Sequence, residues 1–494
     1  MTAWCENKRV LVEEQAGFRA HRHCADHMLS LVEIIRMRKR KHLPTFCAFI
    51  DLRKAYDRVM RNGLWLKLAE AGVHGRMFRV LHQMYDEVWS AVLVDDVASD
   101  WFKLRIGLRQ GCVLSPLLFD IFINGVANDL NVKGLGVPVD ASLRLSILLF
   151  ADDLVLIAST PGDLQRMLDE VSQYCSKWRS DVNLKKTEVV IFGDPRKPVP
   201  QFFLHGVALK VVKSYKYLGL DVYVSLRWTQ MRSRLYAKAR AKVASAFGMA
   251  NCAHVLNVEF GIQLWKSIVR PILEYGCEIW GDSTWKQGEE LQKLVAKRIL
   301  RCPMNMADEA ALGELGFWTL KARSDMLRLR YWGELINMSL ERIPKCVYNA
   351  SKRVFEHELR HLLFRPPPVF VGTEREQKQQ QRAYLAPVVH ARQTNWCFCT
   401  FELLQRYGLD QYWDSEDVGR SWHRQVFKAV QMVEEREWRA RMELKPKLRT
   451  YRRLKSKLKC EQYLVRSDGE KRVYDLFKLR CGTNLLRVDT AMIV

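Results

Sequence analysis

Apolar runs of this chain break on acid at two places. Residues 145–158 read Leu-Ser-Ile-Leu-Leu-Phe-Ala-Asp-Asp-Leu-Val-Leu-Ile-Ala, two short strands meeting at Asp152 and Asp153. Residues 45–52 read Thr-Phe-Cys-Ala-Phe-Ile-Asp-Leu, a β-prone run that closes on Asp51. Unbroken apolar runs bounded by turn signals predict strands buried on both faces. Helical periodicity from Lys54 to Leu68 then places Asp51 at a strand's end, facing a helix start, where ligands gather in open sheets. Leu/Ile spacing predicts another helix from about Cys24 to Lys41. From about Leu226 the pattern becomes mainly helical, and in the helical stretch 264–300 Trp265, Trp280 and Trp285 are expected in the core. Pro366-Pro367-Pro368 and the charged, Gln-rich stretch from Glu374 to Arg382 predict a linker or exposed loop. A second helical region is expected from about Ala383 to the end.

An apolar hairpin is a costly place for two carboxylates, because desolvating one without a partner costs several kcal/mol. In isolation a solvated Asp-Asp turn explains the segment. A third carboxylate in the same kind of setting, about 100 residues upstream, changes the balance, because the two strands can be sheet neighbours. Three acids brought together cannot all stay ionised without cations, so the constellation predicts a metal site. Mg²⁺ takes oxygen ligands of this kind, one or two carboxylates with waters and substrate phosphates. Two such ions would clamp the attacking and leaving oxygens of a phosphoryl transfer. Between the acidic segments, Gly107-Leu108-Arg109-Gln110-Gly111 leads into Ser115-Pro116, where proline suits a helix start. A glycine-flanked loop lets the backbone approach a ligand closely, although a plain turn before a helix explains the segment equally well by itself.

The series Phe49-Ile50-Asp51-Leu52-Arg53-Lys54-Ala55-Tyr56-Asp57-Arg58-Val59, then Arg109-Gln110-Gly111 through Ser115-Pro116, then Phe150-Ala151-Asp152-Asp153, closely resembles reverse transcriptases, nearest to those of non-LTR (LINE-type) retrotransposons. These are the palm motifs lettered A, B and C, in order. Gln15-Ala16-Gly17-Phe18-Arg19 resembles the family's Gln-x-Gly-Phe-Arg segment. Asn183-Leu184-Lys185-Lys186-Thr187 resembles motif D, and Tyr215-Lys216-Tyr217-Leu218-Gly219 resembles motif E. The match runs from about residue 13 to 222.

The resemblance implies an α+β fold: a right-hand polymerase palm, with an antiparallel sheet and packed helices, flanked by partial fingers, a helical thumb and a helical C-terminal region. On that reading 1–45 is partial fingers, 46–222 palm, 223–330 thumb, 331–382 a connector and 383–494 a basic helical region. It further implies that Asp51, Asp152 and the backbone carbonyl of Leu52 hold Mg²⁺ or Mn²⁺, with Asp153 completing the cluster. Tyr56 would wall off a ribose 2′-hydroxyl, and Gln110 and Gly111 would line the nucleotide and template site. Lys186 would act as general acid toward pyrophosphate, and Tyr217-Leu218-Gly219 would form the primer grip. The family's basic fingers segment, often Arg-Pro-Ile-Ser, does not precede Gln15, and no complete endonuclease or zinc knuckle is evident. With Leu485–Asp489 running into Ala491–Val494 as if at an arbitrary stop, the chain reads as a fragment of a retroelement polyprotein.

The formal net charge of +24 suggests a polyanionic partner, since Lys and Arg that displace condensed counterions dominate nucleic-acid affinity. Arg227, Arg232, Arg234, Lys238, Arg240 and Lys242 occur with no acid between them, which fits a thumb helix gripping phosphates. Residues 436–459 carry eleven Lys or Arg against two Glu, either an RNA-binding face, with Trp438 and Tyr451 able to stack on bases, or a nuclear-targeting run. The 13 cysteines show no zinc-ligand spacing, which suggests a reduced intracellular setting, nuclear or cytoplasmic. No signal peptide or membrane-length apolar stretch is present. The expected partners are an RNA template, a DNA primer and deoxynucleoside triphosphates. Two functions compete: an RNA-directed DNA polymerase, favoured by the intact aspartates, and a catalytically impaired nucleic-acid-binding remnant, favoured by the missing fingers. An RNA-dependent RNA polymerase shares the three-carboxylate palm but suits Tyr56 less well.

Overall fold

Strand β1 (Thr45–Asp51) is apolar on both faces because it lies inside a sheet that is covered on both. Strands β2 (Ile147–Phe150), β3 (Asp153–Ala158), β4 (Glu188–Phe192) and β5 (Lys210–Val212) join it in a five-stranded sheet of order β5-β4-β1-β3-β2. Every pairing is antiparallel except β4 with β5. The pleat sends Cys47 and Phe49 into one core with Leu31 and Ile34 of helix α1 (Cys24–Arg40). It sends Phe46, Ala48 and Ile50 into a second core. There they meet Leu64 of α2 (Arg61–Glu70), Phe122 of α3 (Ser115–Val132) and Leu168 of α4 (Pro161–Trp178). The computed structural model describes residues 1–141, 143–193, 199–253, 256–466 and 470–481; the 485–494 ending lies outside them.

Local chemistry sets the helix ends. Asp26 accepts the His23 amide at 3.2 Å to open α1, whose last turn holds Arg38, Lys39 and Arg40 against the negative end of the helix dipole. The Thr160 hydroxyl accepts the Asp163 amide at 3.1 Å to open α4. Helix α3 starts at Ser115-Pro116, as the sequence predicts. The periodic stretch 54–68 behaves differently, because residues 53–58 form a turn and α2 begins only at Arg61. The Arg53 amide is taken by the Asp181 carbonyl at 2.8 Å, Leu52 bridges Val182, and Lys54 adopts a left-handed φ of 50°. Those partners divert the chain before it can coil.

Two compact units result: 1–226 with 339–362 and 368–395, and 227–338 with 363–367 and 396–494. The second unit is helical, including α5 (Thr229–Lys242), α6 (Lys286–Ile299) and α7 (Leu320–Asn337). Trp265, Trp280 and Trp285 are buried in it, as expected. The stretch taken as a connector contains α8 (Ile343–Val354), whose Ile343 and Val347 enter the α1-side core of the first unit. The polar stretch 374–382 is likewise not a loop but the exposed first half of α9 (Glu374–Thr394), opened by a Thr373/Glu376 capping box. Helix α10 (Trp422–Glu443) is bonded through Trp438 to the Glu309 carbonyl, and the basic block after it is pinned by a buried acid. Glu314 accepts from Tyr451 at 2.9 Å and from Tyr463, and pairs with Arg480 of α11 (Glu470–Arg480) at 2.9 Å. Among the described residues no helix is long and apolar enough to cross a membrane.

One cation sits inside the first unit's core. Lys67 of α2 donates to the Tyr174 hydroxyl at 2.6 Å and lies over the rings of Trp178 and Tyr174, 4.4 and 4.7 Å from their centroids. Burial lowers its pKa to about 8, with Asp129 and Glu70 opposing the fall. The unfolded chain therefore holds a proton between pH 8 and the usual lysine value that the folded chain has released, so stability should rise as pH climbs through that window. Lys67→Met should flatten the rise and increase the urea midpoint at pH 7; a midpoint that falls would show that the cation–aromatic contacts outweigh the desolvation.

Candidate active site

Asp51 and Asp153 are direct partners across the β1–β3 ladder, and Asp152 occupies the two-residue turn that precedes β3. Opposed residues of an antiparallel pair point to one face, here the face that Phe49, Val155 and Ile157 share with α1. Asn183 anchors Asp51 from the next segment. Its main-chain amide bonds the Asp51 carbonyl at 2.8 Å, and its side chain bonds Oδ2 at 3.0 Å. Lys186 follows in the same turn and brings Nζ to 3.6 Å from Asp51 Oδ1. Motif D thus closes over motif A, and Asn183 is a site residue that sequence reasoning quoted without assigning it a role.

The electrostatics are those of crowded acids. Asp152 and Asp153 reach solvent, yet partial burial raises both carboxyl pKa values. The nearby Asp51 charge adds to the rise at each, Asp152 adds further at Asp153, and Lys186 opposes it. One lysine against three acids leaves a negative site of hard oxygen donors. The three do not form a closed ligand cage: among the described residues, no group of three or more His, Cys, Asp or Glu is placed to hold a metal ion. The three acids are nevertheless near enough for the Asp51 charge to add to the carboxyl pKa rise at the other two, with Asp51 and Asp153 paired in the ladder and Asp152 in the adjoining turn. Mg²⁺ does not need such a cage, since one or two carboxylates with water and phosphate oxygens suffice. The donor chemistry of Asp51 and Asp152 fits that ion, and the Leu52 main chain follows directly on β1.

Tyr56 stacks on Phe119, with ring centroids 5.0 Å apart, and its buried hydroxyl has no hydrogen-bond partner. Burial raises its pKa, and the Asp120 and Asp152 charges add to the rise. The motif A turn and the glycine loop are joined at three points. The Leu108 amide bonds the Tyr56 carbonyl at 2.8 Å, and Gln110 donates to Asp57 Oδ1 at 2.7 Å. A Cβ on Gly107 would come within 2.6 Å of the Asp57 carbonyl oxygen. Gly111 has a φ of 78°, open to glycine and disfavoured for other residues. Asp57 was missed by sequence reasoning; its one signal was adjacency to Tyr56.

Motif E forms the hairpin β6 (Ser214–Tyr217)–β7 (Leu220–Tyr223), turned at Leu218 and Gly219 with φ of 45° and 86°. Tyr217 is fully buried, its hydroxyl 3.4 Å from His27 Nδ1, so its side chain is withdrawn from any ligand. Tyr215 stacks on Phe49 at 4.4 Å; burial and then the Asp153 and Asp51 charges push its pKa to about 12.

The basic residues divide into those that reach solvent and those held in the interior. Arg227, Lys238, Arg240 and Lys242 of the 227–242 segment are exposed, and Arg234 is half-buried. Arg232 is not available, because its guanidinium bonds the Trp280 and Ser283 carbonyls at 3.1 and 3.3 Å and lies over the Trp280 ring. Trp438 and Tyr451 do not stack on bases either. Both are buried, bonded to the Glu309 carbonyl at 2.8 Å and to Glu314 respectively. Their spacing marks the inward face of the block, and its surface is carried by residues such as Arg436, Arg439, Lys447 and Arg453.

Comparison with known proteins bears on this arrangement. The family described as Reverse transcriptase (RNA-dependent DNA polymerase) matches residues 4–222. The RNA-directed DNA polymerases from mobile element jockey of Drosophila funebris and Drosophila melanogaster are 25% and 26% identical; each alignment covers about 60% of this chain and 32% of the relative. A Pol polyprotein from type-1 retrotransposable element R2 of Popillia japonica is 25% identical over 44% of this chain and 39% of its own. The chain thus spans about a third of the length of these curated mobile-element polymerases. Among solved structures, telomerase from Candida albicans, in complex with a fragment of telomeric RNA, is 11% identical with a TM-score of 0.37, covering 74% of this chain and 57% of that one.

Asp120 of α3, one residue beyond the Tyr56 stacking partner, is fully buried, and neither carboxylate oxygen is bonded among the described residues. Burial raises its pKa to about 8, with Arg19 opposing and Glu6 adding to the rise. Between the ordinary carboxylate value and about 8 the folded chain keeps a proton that the unfolded chain releases, so stability falls as pH rises through that window. Asp120→Asn should abolish the fall. At pH 8 its unfolding temperature should exceed the parent's by at least about 2–4 °C, the shift that 1 kcal/mol produces in a unit of this size. Parallel pH profiles for parent and variant would count against it.

Proposed function

Residues 4–222 are a reverse transcriptase domain of the non-LTR retrotransposon kind, and we propose that they catalyse RNA-templated DNA synthesis. The observation that carries this reading is the Asp51–Asp153 ladder pair with Asp152 in the adjoining turn and Lys186 beside Asp51. Asp51, Asp152 and the Leu52 carbonyl would hold Mg²⁺, or Mn²⁺ in its place, and a bound ion would lower the pKa of the primer 3′-hydroxyl and neutralise triphosphate charge. Asp153 keeps the site negative and shares the face of Tyr215. Lys186, with a largely exposed side chain, is free to follow departing pyrophosphate and protonate it. Tyr56 supplies a wall held by the Phe119 stack, against which a 2′-hydroxyl would clash. Gln110, tied to Asp57, and the open Gly111 border the incoming nucleotide and template base. The Leu218-Gly219 turn presents backbone to the primer end. Arg227, Lys238, Arg240 and Lys242, with Arg234 in support, bind nucleic-acid phosphates.

Primer extension on an RNA template with deoxynucleotides and Mg²⁺ tests the chemistry. The chain should extend the primer. Asp152→Asn should cut extension at least about 100-fold, comparable to the loss of one transition-state electrostatic contact, while template binding stays intact. Tyr56→Ala should preserve extension but relax discrimination against ribonucleotides by about 10–200-fold, the range a steric pocket controls. Template binding without extension by the parent chain would favour a nucleic-acid-binding role without catalysis.

Salt titration tests the basic surface separately. Arg240→Glu with Lys242→Glu should weaken binding across sequences and lower the log–log salt slope by about 1 per lost phosphate contact. Arg232→Gln should leave the slope unchanged and lower the unfolding midpoint, because that side chain is spent inside the helical unit.

A further inference from the structure

We propose that Gln15 is a positioning residue for the carboxylate turn: its side-chain carbonyl fixes the main chain at Ala151 and so the direction from which Asp152 meets a cation. The inference rests on the reading of Asp51 and Asp152 as cation ligands. The segment around Gln15 behaves as an additional edge of the sheet. The Leu149 amide bonds the Glu14 carbonyl at 2.8 Å, the Ala16 amide bonds the Leu149 carbonyl at 2.9 Å, and Gln15 bridges Leu149 in parallel register. This lays Gln15 beside the last residues before the turn. Its side chain is fully buried, and Oε1 accepts two main-chain amides, from Ala151 at 3.0 Å and from Gly17 at 2.8 Å.

The Ala151 amide needs that acceptor. Ala151 is buried and adopts a left-handed φ of 55°, which a residue with a Cβ rarely takes. Without Oε1 the turn would carry both that conformational cost and an unpaired buried amide. Gly17 makes the approach possible, since a Cβ there would stand 2.4 Å from the Ala151 nitrogen. Arg19 secures the segment from the other side. Its guanidinium bonds the Gln15 and Val12 carbonyls at 2.9 and 2.7 Å and pairs with Glu6 at 2.7 Å. Gln15 Nε2, by contrast, is buried with no partner among the described residues. An apolar side chain of the same length would avoid that orphan donor, so the two bonds accepted at Oε1 are what the glutamine contributes. They act on the residue immediately before Asp152.

The test uses the full chain and Mn²⁺ as the probe. Gln15→Met keeps length and removes the acceptor; Gln15→Glu keeps an acceptor oxygen in place. Paramagnetic resonance should show Mn²⁺ affinity lowered at least about tenfold in Gln15→Met, the scale of losses when a ligand's support is removed. Gln15→Glu should restore most of it. Hydrogen exchange over residues 149–153 should quicken in Gln15→Met and not in Gln15→Glu. Gly17→Ala, which drives a methyl into the Ala151 amide, should reproduce the loss and serves if Gln15→Met fails to fold. Parent-like Mn²⁺ affinity and exchange in a folded Gln15→Met would overturn the proposal. If the parent chain bound no Mn²⁺, the metal reading would fail instead, and unchanged exchange at 149–153 would still decide against Gln15.

Discussion

Like charges held close at the end of an apolar ladder are the constraint around which the first unit is organised. The β1–β3 register that pairs Phe49 with Val155 and Ile50 with Leu154 also sets Asp51 opposite Asp153. Burying the apolar pairs stabilises the sheet by about 25 cal/mol per Å² of apolar surface removed from water, and that gain holds the acids together against their repulsion. A slip of one residue would relieve the repulsion but turn every apolar side chain to the wrong core. The acids are therefore fixed by residues that have no chemistry of their own.

Segments distant in sequence close around the acids. Asn183 and Lys186 meet Asp51 from the turn after α4. Gln15 meets the Asp152 turn from ahead of α1. The glycine loop meets the motif A turn at Tyr56 and Asp57. Two of these contacts carry a left-handed residue or a close-approach glycine, Ala151 with Gly17 at the carboxylate turn and Gly107 against Asp57. Close approach of two main chains demands it, since a Cβ in the wrong place would push them apart.

The helical unit shows how misleading a charge run is when taken whole. Of the basic residues between 227 and 242, Arg232 belongs to the interior, with carbonyls and a tryptophan ring as its partners. In the block that follows α10, Lys455 is buried against Glu461 while Lys447 and Arg453 face solvent. Helical periodicity rather than composition decides which cations are free. The same periodicity turns Trp438 and Tyr451 inward, where Glu314 and a backbone carbonyl satisfy their polar ends.

By itself the sequence determined the strands of the hairpin, the placement of Asp51 at a strand's end, the start of α3 at Ser115-Pro116, and the likeness of residues 4–222 to reverse transcriptases. These are legible because short-range apolar pattern and proline chemistry act within a few residues. Tertiary structure alone decided that 53–58 would turn instead of coil, since Asp181 and Val182 had to arrive from 130 or so residues away. It decided which face of the all-apolar β1 carries the acid, because a strand buried on both sides has no polar alternation to reveal it. It also placed α8 in the first unit's core, hid Arg232, Trp438 and Tyr451, and aimed Gln15 at the Ala151 amide. Each of those outcomes depends on a partner that folding supplies and that no local pattern can announce.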